Sequence, residues 1–68
     1  GEEVLVLDDL LARLATEDPQ SADLLGLRFF AGLTTQQAAG ALGMSQRTAY
    51  RCWAFARAWL YQQMNHAP

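Results

Sequence analysis

From Val4 to Ala15 the apolar residues recur at Leu7, Leu10, Leu11 and Leu14, the three-four spacing that lines one face of a helix. The spacing predicts a first helix there. Asp18 followed by Pro19 reads as an N-cap with proline in the first helical position, where its missing N–H and fixed φ cost nothing. A second helix should start at that point and carry Ala22, Leu24, Leu25, Leu27, Phe29 and Phe30 as its apolar residues. It should stop near Ala31, because Gly32 can take the left-handed conformation that ends helices. Thr34 has Gln37 three residues on, so the threonine hydroxyl can accept from the Gln37 amide while the glutamine reaches back. That capping box predicts a third helix from Thr35 to Leu42. Gly43 permits a tight left-handed exit, Met44 can point inward and Ser45 is a fresh N-cap. A fourth helix follows from Gln46 to about Met64. No segment alternates apolar and polar residues as a strand would, and no hairpin dipeptide is present. The pattern therefore predicts an all-α, four-helix domain, with Gly1–Glu3 and Asn65–Pro68 as loose ends.

Length and composition narrow this further. Sixty-eight residues make one domain with a single small core. With 51% apolar and 18% charged residues there is enough apolar surface to fold and no signature of disorder. No apolar run approaches the roughly 20 residues that cross a bilayer, and none reads as a signal peptide. The one cysteine, Cys52, has no partner for an internal disulfide, and with only His66 beside it there is no structural zinc set. A chain that folds by packing alone, without metal or cofactor, suits the cytoplasm.

The net charge of −2 hides a polarised arrangement. Residues 1–34 hold all seven acids (Glu2, Glu3, Asp8, Asp9, Glu17, Asp18, Asp23) with Arg13 and Arg28, a net −5. Residues 35–68 hold Arg47, Arg51 and Arg57 and no acid, a net +3. An anion-facing C-terminal segment would have this distribution. So would a helix whose acids sit at helix starts and whose arginines are merely solvated.

Ala39 is a small residue where two short helices crossing steeply would bring their backbones together, and Gly43 supplies the turn. Residues 35–64 thus have the spacing of a helix-turn-helix, although an ordinary helical hairpin uses the same residues. Projecting the fourth helix at about 100° per residue from Trp53 brings Ala49, Cys52, Ala56, Trp59, Leu60 and Met64 within about 120° of it. That arc is the expected core face. Arg47, Arg51, Ala54 and Ala58 fall at about 100–160°, and Phe55 near the opposite pole. An exposed stripe with arginines four apart, beginning at a helix N-terminus capped by Ser45, suits docking into a DNA major groove. Arg47 or Arg51 can bond a guanine edge bidentately, while Gln46, Thr48 and Tyr50 offer polar contacts to bases or phosphates. Phe55, an aromatic on the outward side, would pack against a base methyl, a sugar or a protein. Solvation is the bland alternative for each arginine.

The string Leu27-Arg28-Phe29-Phe30-Ala31-Gly32-Leu33-Thr34, then Gln37-Ala38-Ala39, Leu42-Gly43-Met44-Ser45, Arg47-Thr48, and Trp53 with Phe55-Ala56-Arg57-Ala58-Trp59-Leu60, resembles region 4 of extracytoplasmic-function (ECF) sigma factors of the sigma-70 family. The resemblance runs from about Leu7 to Met64. It implies a bacterial transcription-initiation domain that reads the minus-35 promoter element through its last helix and contacts the flap of the RNA polymerase β subunit. It also implies an anti-sigma factor as a further partner, and a fragment of a longer sigma factor, since the promoter-melting region 2 has no counterpart here. Relatives place basic residues where Tyr50 and Ala54 stand, so this surface is less cationic than theirs. With about three arginine–phosphate contacts, log affinity would fall with log salt at a slope of about −3. Polymerase would then supply effective concentration.

The remaining chemistry reads as structural. Trp53 and Trp59 have the spacing of core aromatics, and Cys52 that of a small buried hydrophobe. Tyr61 should lay its ring along the domain edge, and His66 lies in the tail. Asp8, Asp9 and Glu17 are left for polymerase, an anti-sigma factor or water alone. No nucleophile has a histidine base, no carboxylates pair on a concave scaffold and no glycine loop cradles phosphate, so no enzyme activity is expected. The competing reading is a protein-interaction module that keeps the fold but has little intrinsic DNA affinity. A two-component-type output domain fits the quoted strings poorly.

Overall fold

The computed structural model describes residues 2–65, with side chains from Val6 onward; Gly1 and residues 66–68, His66 among them, lie outside the described residues. Four helices follow one another: α1 (Glu2–Glu17), α2 (Pro19–Phe30), α3 (Thr35–Leu42) and α4 (Gln46–Asn65). No strand occurs among the described residues, and no helix there is long and apolar enough to cross a membrane. The domain is all-α, as the periodicity requires. α1 is two residues longer at each end than its leucine spacing indicates, and Asn65 closes α4; Glu2, Glu3 and Asn65 are helical rather than loose.

Each boundary has a local cause. The Asp18 amide donates to the Leu14 carbonyl at 2.8 Å, so α1 runs directly into the cap of α2. Asp18 is extended; its carboxylate accepts from the Ser21 amide at 3.4 Å and from the Ser21 hydroxyl at 2.8 Å. That second bond satisfies a hydroxyl that is fully buried. At the other end of α2 the Leu27 carbonyl accepts from the amides of both Ala31 and Leu33, each at 3.2 Å, while Gly32 turns the chain at φ +71°. The Thr34–Gln37 capping box forms reciprocally: Gln37 N–H to Thr34 Oγ1 at 3.1 Å, and Thr34 N–H to Gln37 Oε1 at 2.9 Å. α3 ends in a Schellman turn, with Gly43 N–H to Gly40 O at 3.3 Å, Met44 N–H to Ala39 O at 3.0 Å and Gly43 at φ +68°.

The core has two lobes. Leu14, Ala22, Leu25, Ala56 and Trp59 form one, covered by Leu10, Leu11 and Leu60. Leu24, Ala38, Ala39, Ala49 and Cys52 form the other, covered by Leu27, Leu33, Leu42 and Met44. Trp53 packs against both. α4 supplies Ala49, Cys52, Ala56 and Trp59 to this core and packs against all three other helices. Small residues dominate the stripe, so backbones approach closely; Ala39 is buried on the facing side of α3.

One error of projection accounts for several departures. The buried stripe of α4 is centred about 80° away from Trp53 at about 100° per residue, so Trp53 is half-buried and marks an edge of the core. Met64 then falls about 100° and Tyr61 about 160° from the true centre. Accordingly Met64 is 71% and Tyr61 70% exposed, rather than core and edge residues. Phe29 and Phe30, expected on the apolar side of α2, are 52% and 55% exposed; Phe30 lies about 160° from the centre of the stripe formed by Ser21, Ala22, Leu24 and Leu25.

Two glycine substitutions should have opposite signs. A Cβ at Gly43 or at Gly40 would meet nothing within 4 Å, so only backbone conformation matters. Gly43→Ala should destabilise by about 1–2 kcal/mol, since the left-handed conformation is unfavourable to alanine. Gly40→Ala, inside α3, should stabilise by about 0.5–1 kcal/mol. Urea denaturation followed by far-UV circular dichroism checks both.

Candidate nucleic-acid interface

Packing one side of α4 into the core decides what its other side presents. Relative to the centre of the buried stripe, Arg47 lies at about 160°, Tyr50 at about 140°, Arg51 at about 120° and Phe55 at about 80°. Arg47, Tyr50 and Arg51 are exposed and share the outward face. Phe55, expected near the outward pole, is 43% exposed and sits on the flank. It borders a shallow open depression lined by Ala54, Arg57, Ala58, Trp59, Tyr61 and Gln62.

The start of α4 is organised by two hydroxyls. Ser45 Oγ accepts from the Thr48 amide at 3.1 Å and donates to Thr48 Oγ1 at 3.0 Å, while its carbonyl accepts from Ala49 at 2.9 Å. Both lone functions of Ser45 are therefore used within the cap. The Thr48 side chain, half-buried, keeps its own hydroxyl proton for an external acceptor. The amides of Gln46 and Arg47 precede the first intrahelical bond and project from the helix end, where the dipole favours an anion. Gln46 is exposed beside them.

The arginines divide into two groups. Arg13 donates to Gln63 Oε1 at 2.7 Å and lies over the Trp59 ring at 5.9 Å. Arg28 donates to Thr35 Oγ1 at 2.8 Å and stacks on Trp53 at 4.3 Å. Both serve the fold. Arg47, Arg51 and Arg57 are exposed along α4, and Arg57 also reaches over Trp53 at 5.9 Å. Among the acids, Asp8, Asp9 and Asp23 are exposed on α1 and α2. Glu17 is otherwise employed: its carboxylate accepts from the Trp59 indole N–H. The two further residues at the end of α1 bring it there.

The sequence pattern gave no role to Arg28 or to the exposed Phe29–Phe30 pair. A lone arginine inside Leu27-Arg28-Phe29-Phe30 was the available signal, because a guanidinium amid apolar neighbours needs partners. Phe29 finds one in Trp53, with ring centroids 6.3 Å apart and planes tilted by 52°; Phe30 remains on the surface.

The family model described as ECF sigma factor matches residues 1–66. No curated protein and no solved structure matches the chain.

Because the Ser45 hydroxyl is consumed in the cap, Ser45→Ala should destabilise the domain by about 1 kcal/mol. Thr48 amide exchange should quicken, with the rest of α4 little changed. Native-state hydrogen exchange by NMR reads both quantities.

Proposed function

This chain belongs to the ECF sigma factor family, and on that premise we propose that α3 and α4 are the helix-turn-helix by which it reads the minus-35 promoter element. The family acts in transcription initiation, with RNA polymerase and promoter DNA, and is a regulatory rather than an enzyme family. The observation that carries the finer reading is the pair Arg47 and Arg51, exposed one helical turn apart beside a capped helix start and turned away from the core.

On this reading the N-terminal half of α4 enters the major groove. The Gln46 and Arg47 amides and the Thr48 hydroxyl contact phosphate, which fixes register without reading sequence. Arg47 and Arg51 bond base edges, with guanine N7 and O6 the best geometric match, and Gln46 and Tyr50 add polar contacts. Phe55, on the flank, packs against a sugar or a thymine methyl. Ser45 acts through the cap it makes. The exposed acids of α1 and α2 would repel phosphate, which favours an approach with α4 leading. Such binding takes place in the cytoplasm, where polymerase holds the domain over the promoter and compensates for a small cationic surface.

A protein contact is a second reading, and the exposed Phe29 and Phe30 favour it. Two aromatics at the end of α2, next to half-buried Trp53, offer an apolar anchor of the kind protein partners use. We assign the β flap contact to that surface, with an anti-sigma factor as its competitor. The two readings are compatible, since one uses the start of α4 and the other the end of α2.

The Arg47→Ala, Arg51→Ala double variant should bind a minus-35 duplex at least tenfold more weakly, with its preference over a scrambled duplex lost and helicity unchanged. Phe30→Ser should leave DNA binding intact and weaken binding to a β flap fragment. Fluorescence anisotropy with specific and scrambled duplexes measures the first effect; undiminished selectivity in the double variant would refute the assignment.

A further inference from the structure

Arg28 ties three helices together through one side chain. It leaves the last turn of α2 and reaches two other helices. One guanidinium nitrogen, Nη1, donates to the hydroxyl of Thr35, the buried first residue of α3, at 2.8 Å. The guanidinium carbon, Cζ, lies over the ring of Trp53, 4.3 Å from its centroid, and Trp53 is the α4 side chain that touches both lobes of the core. Its Nε is buried and has no acceptor. A buried unpaired donor is costly, and desolvating a cation adds to that cost. A methionine of similar length would fill the space without either penalty. What methionine lacks is a rigid plane that stacks on an indole and a fork that holds a hydroxyl at a set angle.

We infer that Arg28 is a positioning residue: it locks the start of α3 and the middle of α4 to α2, and so fixes the angle between the two helices of the proposed reader. The turn between them is only Gly43, Met44 and Ser45, and the facing surfaces are mostly alanine. Small flat surfaces permit sliding, so the α3–α4 angle needs a directional contact to hold it. The Phe29 ring, tilted against the same indole, and Arg57, on the same α4 flank, confine Trp53 further. The functional consequence rests on the DNA-reading proposal, because a fixed angle matters only if Arg47 and Arg51 must meet base edges in register.

The test compares the chain with its Arg28→Met, Arg28→Lys and Thr35→Val variants. Residual dipolar couplings of the free protein report the orientation of α4 against α3. Anisotropy reports affinity for minus-35 and scrambled duplexes, and circular dichroism the thermal midpoint. Arg28→Met should shift the midpoint by less than about 5 °C while the ratio of specific to scrambled affinity falls about tenfold. Couplings of α3 and α4 should cease to fit one rigid orientation. Arg28→Lys, which keeps charge but neither plane nor fork, should behave as Arg28→Met. Thr35→Val should act in the same direction and not additively with Arg28→Met. Unchanged couplings in Arg28→Met, or affinities for both duplexes that fall together in step with the midpoint, would overturn the inference. If the unaltered chain does not distinguish the duplexes, the DNA-reading proposal fails, and the couplings alone decide the role of Arg28.

Discussion

Every other helix of this domain is packed against one narrow stripe of α4, formed by Ala49, Cys52, Ala56 and Trp59. Three of those residues are small, so α2 and α3 come close, and burying the stripe fixes how α4 is rotated about its own axis while leaving its crossing angle with α3 to other contacts. Once that stripe is buried, helix geometry sends Arg47 and Arg51 outward, because no rotation of α4 can bury the stripe and hide the arginines together. The cationic face thus follows from the packing of its opposite face. Trp59 adds a polar constraint to the apolar one: its indole N–H is held by Glu17 at the end of α1, as a largely buried tryptophan requires.

The polarised charge of the chain acquires a meaning in this arrangement. Two of the five arginines are drawn into the fold, Arg13 against Trp59 and Gln63, Arg28 against Trp53 and Thr35. Arg13, on α1, is nevertheless exposed; the other exposed cations, Arg47, Arg51 and Arg57, are those of α4. On the acidic side Glu17 and Asp18 serve structure, one on an indole and one as a cap, while Asp8, Asp9 and Asp23 face solvent. The result is a domain with a repulsive side and an attractive side toward a polyanion, despite a net charge of −2.

Much of the fold was legible because it is decided locally. Asp18 with Pro19, Thr34 with Gln37, Gly43 and Ser45 each settle a helix end within four residues of chain, and each does so in the structure. What was not legible depended on neighbours distant in sequence. Trp53 is one of the two largest residues of its arc, yet it sits at a margin of the core because the centre is made of alanines and a cysteine whose burial only partner helices can decide. Placing the arc about 80° off carried Met64, Tyr61 and Phe55 with it. Arg28 was hidden for the same reason: its partners Thr35 and Trp53 lie on two other helices, and no local pattern announces a stack between them. At the proposed interface, Arg47 and Arg51 kept their outward placement under this rotation because they lie about 120° or more from the core centre on either origin, whereas Tyr50, about 60° from Trp53, is turned outward by it. Phe55 did not, since the shift of about 80° carried it from near the outward pole to the flank.

On the proposed function, the buried stripe of α4 turns the start of that helix into a DNA-reading edge. The most direct measurement is an NMR titration of the labelled chain with a minus-35 duplex, following every backbone amide. Shifts should concentrate at Ser45–Arg51 and Phe55, with Asp8, Asp9 and Asp23 on the acidic helices unmoved. Shifts centred on Phe29 and Phe30 with the start of α4 silent, or no shifts that distinguish this duplex from a scrambled one, would contradict it.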